Sequence, residues 1–451
     1  MDASQQLGPV LEALLGGPPA VAIEFWDGSR IDPRPRAAPA AAAAAAPQDK
    51  LAAAAAAPQD QPAKINIRTP DVLRRIMYAP SELGFARAYV LGEVEIEGDI
   101  HAALRVLKQA TPELALGWRT WAGIVRSAAS LGVIGRPLPP PAEEARLRGR
   151  VHSMHRDAEA IAHHYDVSNE FYRLFLGPSM TYSCARFVTP TATLEEAQAA
   201  KYELVARKLD LQPGMRLLDV GCGWGGMVMH AATHHGVEAV GVTISRQQYD
   251  LAVKRVAEAG LTDRVEIRLQ DYRELAGGAS GGGARRDTFD AISSIGMAEH
   301  VGRAKLNAYF GVLAPLLRPE GRILNHAIST PNGAAYGRGS FIARYVFPDG
   351  ELPDVAQVVT GMQAQGLDVR DVEGLREHYA LTLRRWSANL DDNWDEACRL
   401  VGLRRARVWR LYLAGAAVSF EAADIGIHQV LGVRLRPDGV SGMPLTRQAY
   451  S

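Results

Sequence analysis

The sequence predicts an α/β protein whose larger part is a doubly wound domain with a parallel sheet. The first observation is the run RLLDVGCGWGG at 216–226, where a strand-like apolar segment leads into a glycine cluster and a helix-forming stretch. Such a turn lets backbone N–H groups approach a ligand at a helix N-terminus. A second apolar run at 237–242 then ends in Thr243, Ile244 and Ser245. This β-α-β spacing predicts a ligand crevice at the carboxyl ends of the strands.

The glycine cluster narrows the class of ligand. It reads Gly-Cys-Gly-Trp-Gly-Gly, and no acidic residue follows the second apolar run, so a nicotinamide dinucleotide is disfavoured. The pattern resembles the nucleotide motif of class I methyltransferases, which use S-adenosylmethionine. On this stretch alone, another kind of nucleotide-binding protein stays open as the alternative.

Length and composition disfavour several classes of protein. At 451 residues the chain predicts more than one domain. Lys+Arg and Asp+Glu are both 50, so the net charge is zero and we expect no nucleic-acid partner. No uninterrupted apolar run reaches about 18 residues, and the start lacks a secretory pattern. Cys184, Cys222 and Cys398 lack metal-ligand spacing, so we expect a reduced, soluble, cytoplasmic protein without a metal site.

Residues 8–130 predict a small α+β domain. Strand-like patterns lie at 20–25, 64–68 and 94–97, and helical patterns at 9–15, 71–90 and 100–107. An Ala/Pro-rich low-complexity segment at 34–63 is expected to be an insertion in a loop of this one domain. A connector over 131–160 follows. It carries a basic run formed by Arg146, Arg148, Arg150 and Arg156.

The remaining residues, 161–451, predict the catalytic domain. After the glycine loop, strand patterns lie at 237–242, 265–269, 289–293 and 322–325. The glycine-rich stretch at 277–283 predicts a surface loop. From Gln365 onward the pattern is largely helical and rich in arginine. These arginines are Arg384, Arg385, Arg399, Arg404, Arg405, Arg407 and Arg410.

Eight ordered segments resemble a single family. They are AHHYDVSNEFY at 162–172, MTYSCARF at 180–187, LDVGCGWGG at 218–226, GVTISRQQ at 241–248, LQDYREL at 269–275, GMAEHVG at 296–302, NHAIS at 325–329 and RYVFPDGELP at 344–353. Together they are similar to cyclopropane-fatty-acyl-phospholipid synthases and the related mycolic acid cyclopropane synthases. The N-terminal domain also resembles that of full-length bacterial members. The resemblance implies a Rossmann-like class I methyltransferase domain with lid helices, preceded by the small α+β domain.

The resemblance also assigns residues to S-adenosylmethionine. The glycine loop matches the part that holds the methionine portion, and residues after the second strand match a ribose-contacting group. Further positions match an adenine contact and an upstream contact. The residues expected at the cofactor are Tyr182, Ser183, Asp219, Gly221, Gly223, Gly225, Thr243, Ser245, Gln248, Asp271 and Tyr272. For the two tyrosines, ordinary aromatic packing is the alternative.

The reaction is likewise implied by the resemblance. In the family, a cis double bond of a phospholipid acyl chain attacks the sulfonium methyl group, and the resulting carbocation loses a proton to close a cyclopropane ring. The base is thought to be a bound bicarbonate ion. Its ligand positions match Cys184, Glu299, His326, Ile328 (through its backbone) and Tyr379. Taken singly, these side chains could be ordinary buried or capping residues.

The sequence leaves the partners and the final product open. We expect a homodimer that docks on anionic headgroups at the inner face of the membrane through its arginine-rich helices and N-terminal domain, with a merely solvated face as the alternative. The carbocation could instead undergo a hydride shift and give a 10-methylene chain, the substrate of a flavin-dependent reductase partner. REHYALTLRRW and RARVWRLYLAG resemble the actinobacterial branch with that outcome. A small-molecule amine N-methyltransferase and an inactive lipid-binding protein are the further alternatives.

Overall fold

The structure, a computed structural model, describes residues 2–15, 17–34, 63–79, 81–109, 118–145, 156, 167–275, 288–331 and 339–450. The chain forms two compact units. The first comprises Met1–Arg146, Gly337–Val346 and Leu390–Val418, and the second comprises Leu147–Tyr336, Phe347–Asn389 and Ser419–Ser451. Three predicted features lie outside the described residues, namely the low-complexity insertion apart from its two end residues, the basic run apart from Arg156, and the loop at 277–283.

A small sheet with helices forms the first unit, which confirms the predicted α+β arrangement. Its strands are β1 (Ala22–Phe25), β2 (Arg30–Ile31), β3 (Lys64–Ile67) and β4 (Val94–Glu97), in the spatial order β2-β1-β3-β4. The β1–β3 pair is parallel and the other neighbours are antiparallel. The helices of this part are α1 (Ala3–Leu15), α2 (Asp71–Tyr78), α3 (Glu82–Leu91), α4 (Ile100–Gln109) and α5 (Trp118–Ser130). Alternate strand residues such as Ile23, Phe25 and Ile65 are buried, as a one-sided sheet requires.

The second unit contains a seven-stranded sheet among its described residues, with the spatial order β10-β11-β9-β8-β5-β6-β7. Its strands are β5 (Arg216–Val220), β6 (Glu238–Thr243), β7 (Val265–Leu269), β8 (Phe289–Ile295), β9 (Leu317–Ser329), β10 (Leu367–Gly374) and β11 (Gly426–Arg434). The strands from β5 to β9 run parallel, whereas β11 is antiparallel to both β9 and β10. This is the doubly wound architecture that the sequence predicts.

The remaining helices precede these strands or lie between them along the chain, and those within residues 337–346 and 390–418 belong to the first unit. They are α6 (Asn169–Leu176), α7 (Leu194–Leu209), α8 (Gly226–His235), α9 (Arg246–Glu258), α10 (Ala298–Val301), α11 (Leu306–Leu313), α12 (Phe341–Tyr345), α13 (Val355–Gln363), α14 (Arg376–Asp392), α15 (Trp394–Val401) and α16 (Leu403–Glu421). A capping box starts α7, since the Thr193 hydroxyl accepts from the Glu196 N–H and the Glu196 carboxylate accepts from the Thr193 N–H. Within the described ranges, no helix has the length and apolar character needed to cross a membrane.

The expectation of a largely helical tail is wrong in part. Strands β10 and β11 lie in that tail and complete the sheet beside β9. Strand β10 was difficult to recognise because charged residues interrupt its alternation of apolar and polar residues. It lies at the edge of the sheet, and part of it is exposed to solvent. The strand β9 also extends beyond the four residues predicted for it, 322–325.

The central parallel strands β5, β6 and β8 are largely buried on both faces, and this explains their nearly continuous apolar sequences. Leu218 and Val220 of β5 join one hydrophobic cluster, whereas their neighbour Leu217 joins another with Ala239 and Ala291. Successive side chains of a strand point to opposite faces, so the central strands β5, β6 and β8 supply both clusters. The carboxyl ends of β5, β6 and β8 are thereby fixed side by side.

Candidate active site

A sharp turn of glycines follows β5. The N–H groups of Gly221 and Cys222 donate to the carbonyl oxygen of Val242 at 2.9 and 3.0 Å, which ties the loop to the end of β6. Gly221 has a φ of 77°, and a Cβ there would collide with the Met297 side chain. Only glycine meets both conditions. The turn therefore delivers the N-terminus of α8 to the carboxyl end of β5.

This turn lies on a cleft with about 1190 Å³ of empty space, its open mouth included. Most of the residues predicted for the cofactor line it together. They are Tyr182, Ser183, Asp219, Gly221, Gly223, Thr243, Gln248, Asp271 and Tyr272. Gly225 and Ser245 do not line the cleft and instead occupy the N-cap positions of α8 and α9.

Asp219 places a buried carboxylate in the cleft wall. Its Oδ1 accepts a hydrogen bond from the Ser293 hydroxyl at 2.6 Å. Burial raises the pKa of Asp219 to about 6, against the opposing effects of that hydrogen bond and of the Lys201 charge. A buried carboxylate of this kind is best satisfied by a cationic ligand. The ammonium and sulfonium groups of S-adenosylmethionine meet that requirement.

Polar groups at the end of β6 form a local network. The Thr243 hydroxyl donates to the Gln248 side-chain oxygen at 2.9 Å and accepts from the Ser245 N–H at 3.2 Å. The Ser245 hydroxyl accepts from the Gln248 N–H at 3.3 Å, which is an N-cap bond. These bonds hold Thr243 and Gln248 in position at the cleft. Ser245 contributes by bonding to both residues rather than by lining the cleft.

Asp271 caps a short turn beside the cleft. Its Oδ1 accepts from the Arg273 N–H at 2.9 Å, and the Arg273 guanidinium binds both carboxylate oxygens at 2.9 and 2.6 Å. Arg273 also lines the cleft, and the sequence reasoning missed it. The Tyr272 ring makes an edge contact with Tyr309, with 4.8 Å between the ring centroids.

Lys201 is a second missed residue of the cleft. It is fully buried on α7, and its Nζ donates to the Ser183 hydroxyl at 3.1 Å. Among the described residues it makes no ion pair with a carboxylate, so burial lowers its pKa to about 7, opposed by the charge of Asp219. The available sequence signal was a lysine spaced three and four residues from the apolar positions Leu204 and Ala197 on one helix face.

Three of the five residues predicted for catalysis meet at the end of β9. Glu299 is buried on α10, and its Oε1 accepts from the Ile328 N–H at 2.7 Å. Its Oε2 is buried without a hydrogen-bond partner among the described residues. Burial raises the pKa of Glu299 to about 7, although the Ile328 N–H opposes that change. His326 lies two residues before Ile328 and therefore on the same face of β9.

Gln429 of β11 faces His326 across the sheet. The two residues are register partners, and the Gln429 side-chain amide lies 3.1 Å from His326 Nδ1. When that amide donates, Nδ1 accepts and the proton of the neutral ring resides on Nε2. His326 Nε2 is itself buried without a partner in the part of the chain that the structure describes. Burial lowers the pKa of His326, so the ring is neutral.

The other two predicted residues form a second group. The Cys184 thiol lies 3.7 Å from the Leu375 carbonyl oxygen, which also accepts from the Tyr379 N–H at 3.1 Å. The Leu375 N–H donates to Ile427 O at 2.9 Å, and Ile427 is the register partner of Ile328. Backbone bonds thus link the two groups. Burial raises the pKa of the Cys184 thiol, which argues against a thiolate nucleophile.

None of the five predicted catalytic residues lines the cleft itself. Aromatic rings bridge the gap. The Trp386 ring lies 5.3 Å from that of Tyr182 in the cleft wall and 6.0 Å from that of Tyr379. Trp386 is fully buried on α14, seven residues after Tyr379 and so on the same helix face. The sequence reasoning missed this residue too, as it missed Gln429.

The fold and the cleft define a class I methyltransferase that uses S-adenosylmethionine. A family model described as mycolic acid cyclopropane synthetase matches residues 152–430, and the chain belongs to this family. The predicted family and the predicted enzyme class are confirmed.

Named relatives agree with this assignment. The chain is 44% identical over 392 residues to Rv3720, described as a probable fatty acid methyltransferase of Mycobacterium tuberculosis, covering 84% of this chain and 89% of the relative. It is 37% identical over 447 residues to a probable fatty acid methyltransferase of Pseudomonas putida, covering 98% of both. The solved structure of mycolic acid cyclopropane synthase CmaA1 complexed with SAH and CTAB is 34% identical, with a TM-score of 0.56 over 61% of this chain and 97% of that chain.

Proposed function

We propose that the protein transfers a methyl group from S-adenosylmethionine to the cis double bond of unsaturated phospholipid acyl chains and closes a cyclopropane ring. The relatives support the coarser statement that this is a fatty acid methyltransferase of the cyclopropane synthase type. The choice of phospholipid acyl chains and of ring closure is the proposal.

One observation carries this proposal. Glu299 Oε2 and His326 Nε2 are both buried without hydrogen-bond partners among the described residues, in the same region at the end of β9. Leaving such groups unpaired costs about 1–3 kcal/mol each, so they suit a ligand that is part of the working enzyme. A small oxyanion fits, because His326 Nε2–H can donate to it and Glu299 can accept from or donate to it. Bicarbonate has this chemistry and would supply the base for the ring-closing proton transfer.

The residues of the site divide the work. S-adenosylmethionine supplies the electrophilic methyl group when bound. The glycine turn and Asp219 would hold that ligand. The Tyr182 ring lines the cleft and would stabilise positive charge on the acyl chain through its π system, and Trp386 packs between Tyr182 and Tyr379. Gln429 keeps the His326 proton on Nε2, where it can anchor the oxyanion.

The second candidate is a 10-methylene product. Both relatives described above are named fatty acid methyltransferases, a name that does not specify a ring. A hydride shift before proton loss gives an exocyclic methylene group, with the same atoms gained as in ring closure. Such a product would need a flavin-dependent reductase as a partner to become a saturated methyl branch.

Contact with the membrane surface is a further part of the proposal. Four of the predicted docking arginines are ion-paired within the chain. The pairs are Arg384–Glu421, Arg399–Glu396, Arg407–Glu95 and Arg410–Asp391. The positive charge left for anionic headgroups is therefore smaller than the number of arginines indicates. Homodimer formation through the N-terminal domain is proposed with it, and size-exclusion chromatography with light scattering measures it.

Lipid analysis of a host with oleoyl phospholipids and no synthase of its own tests the product. After expression of this chain, fatty acid methyl esters are analysed by gas chromatography–mass spectrometry before and after diimide reduction, which saturates a methylene group and leaves a ring intact. A C19 ester unchanged by diimide supports the cyclopropane product. A C19 ester that gains two hydrogens supports the 10-methylene product. If neither forms while the purified protein binds S-adenosylmethionine, both proposals fail.

A variant and its matched control test the role of the buried Glu299 carboxylate. Glu299→Gln keeps an acceptor for the Ile328 N–H but cannot change charge, so turnover should fall by about 10²–10⁴-fold while the Kd of S-adenosylmethionine stays within a few-fold. Glu274→Gln, an exposed carboxylate near the cleft, is the matched control and should keep normal turnover. Normal turnover in Glu299→Gln would refute the role of Glu299.

A further inference from the structure

Away from the cleft, three potential metal ligands converge between α7 and α8. They are Glu203 of α7 and His230 and His235 of α8, and their ligand atoms all lie within 4.8 Å of one another. Glu203 Oε2 is central, at 3.5 Å from His230 Nε2 and 3.0 Å from His235 Nε2. No residue of this set belongs to the predicted site or lines the cleft.

We propose that these three residues form a binding site for a divalent transition-metal ion of the zinc class, which ties α7 to α8. The inference is independent of the proposed function. Imidazole nitrogens with one carboxylate suit zinc, cobalt, nickel or copper, whereas magnesium and calcium prefer oxygen ligands.

The spacing fits a tetrahedral ion. Metal–ligand bonds of about 2.0–2.1 Å place the ligand atoms about 3.3 Å apart. The two distances to Glu203 Oε2, 3.0 and 3.5 Å, lie on either side of this value. His230 Nε2 is buried without a hydrogen-bond partner among the described residues, so its lone pair is available. A hydrogen-bonded His–Glu pair accounts for His235, whereas His230 Nε2, at 3.5 Å from the same carboxylate oxygen, is buried without a hydrogen bond among the described residues.

The exposure of the ligands suits an open site. The His230 and His235 side chains are 12% and 18% exposed, whereas Glu203 is 42% exposed and leaves room for water as a fourth ligand. Arg207 lies 3.9 Å from the other carboxylate oxygen and opposes cation binding to a modest extent, because it is itself half-exposed. The site is therefore expected to bind with intermediate affinity.

The position gives the ion a structural effect. Glu203 follows Lys201 and Tyr202, two residues of the cleft wall, and α8 begins at the glycine turn. An ion that joins the two helices would restrain both walls of the cleft. Since it binds the folded state, it should also raise the melting temperature.

Isothermal titration calorimetry on the full chain, treated with chelator, tests the site with ZnCl₂. We expect one ion per chain with a Kd below about 10 μM, and no binding of MgCl₂ at the same concentration. Glu203→Gln, His230→Gln and His235→Gln should each weaken binding at least about tenfold. His234→Gln is the matched control, because His234 is an exposed neighbour outside the set, and it should bind as the wild type does.

Thermal melting gives a second readout that needs no enzyme activity. Zinc at about 100 times the wild-type Kd should raise the Tm by about 5 °C in the wild type and by about half as much or less in Glu203→Gln, whose binding is at least about tenfold weaker. Equal zinc affinity in the wild type and all three ligand variants would overturn the proposal. A loss in His234→Gln as large as that in His230→Gln would overturn the ligand assignment.

Discussion

Two buried lysines on α7 should respond in opposite ways to the same substitution. Lys201 is fully buried without a carboxylate partner among the described residues, whereas Lys208 is fully buried with Asp371 at 2.9 Å and Glu373 at 2.5 Å. Methionine has a similar length and no charge. We expect Lys201→Met to stabilise the protein and Lys208→Met to destabilise it.

The gain in the free energy of unfolding of Lys201→Met can be calculated from the pKa of Lys201. A decrease from 10.5 to about 7 means that the folded state binds fewer protons than the unfolded state between those values, so stability rises with pH through this window. The cost to the folded state is about 4 kcal/mol at pH 7 and about 2 kcal/mol at pH 9. Losing the hydrogen bond to Ser183 offsets about 1 kcal/mol of the gain. Lys201→Met should therefore be more stable by about 3 kcal/mol at pH 7.

The loss of stability in Lys208→Met depends on the two carboxylates that lose their ion-pair partner. Without its ammonium group, Asp371 and Glu373 keep the half-exposed Arg447 as an ion-pair partner, at 3.1 and 3.3 Å. Removing one member of a buried ion pair costs about 3–5 kcal/mol. Because Arg447 compensates in part, we expect about 3 kcal/mol of destabilisation.

Urea unfolding followed by circular dichroism at pH 7 and pH 9 measures both effects. The wild type should gain about 2 kcal/mol over this interval from Lys201, and Lys201→Met should lack that gain. The buried Asp219 increases this difference between the two proteins. Without the Lys201 charge, the pKa of Asp219 should rise further, so Lys201→Met should lose stability as the pH rises. The reasoning is refuted if the two proteins show parallel pH dependence, or if both methionine variants are destabilised alike.

The remaining predictions concern the glycine turn and the thiols. Gly221→Ala should weaken S-adenosylmethionine binding at least about tenfold by calorimetry, because the left-handed backbone and the Met297 side chain both exclude a Cβ. Gly214→Ala, with a φ of 82° but open space around the Cβ, should lose about 1 kcal/mol of stability and bind normally; equal binding loss in both would contradict the collision. Iodoacetamide at pH 8 should label Cys398 before Cys184 and Cys222, since burial raises the pKa of both buried thiols. Peptide mass spectrometry checks the order, and early labelling of Cys184 would contradict its burial.

The half of the sheet around the glycine turn was predictable from local sequence. Strands β5 and β6 are apolar because both of their faces are covered, and a glycine turn after β5 needs no distant partner to be identified. The predicted and observed bounds of β6 differ by only one residue at each end. The cleft residues that directly follow β5 and β6 could therefore be predicted from their place in the sequence after each strand.

The other half depends on contacts that local sequence does not contain. Gln429 resembles an ordinary polar residue of β11, yet it is fully buried because it faces His326 across the sheet. Lys201 differs from Lys208 only through the groups that tertiary packing brings to each. Trp386 becomes part of the site because Tyr182, far away in sequence, packs on it. Resemblance to a family identified the residues at 299, 326 and 379, but not the side chains that hold them.

The order of the strands has a consequence for synthesis at the ribosome. Strands β5 to β9 pair with one another without help from the tail, whereas β10 pairs with β11 alone among the described strands. Since a nascent chain emerges from its N-terminus, the cofactor turn can fold before β11 exists. His326 gains its contact with Gln429 only after β11 has been synthesised and has paired with both β9 and β10. A chain interrupted before that insertion would hold the elements of the cofactor cleft, but its His326 would lack the Gln429 amide that lies beside it in the complete fold.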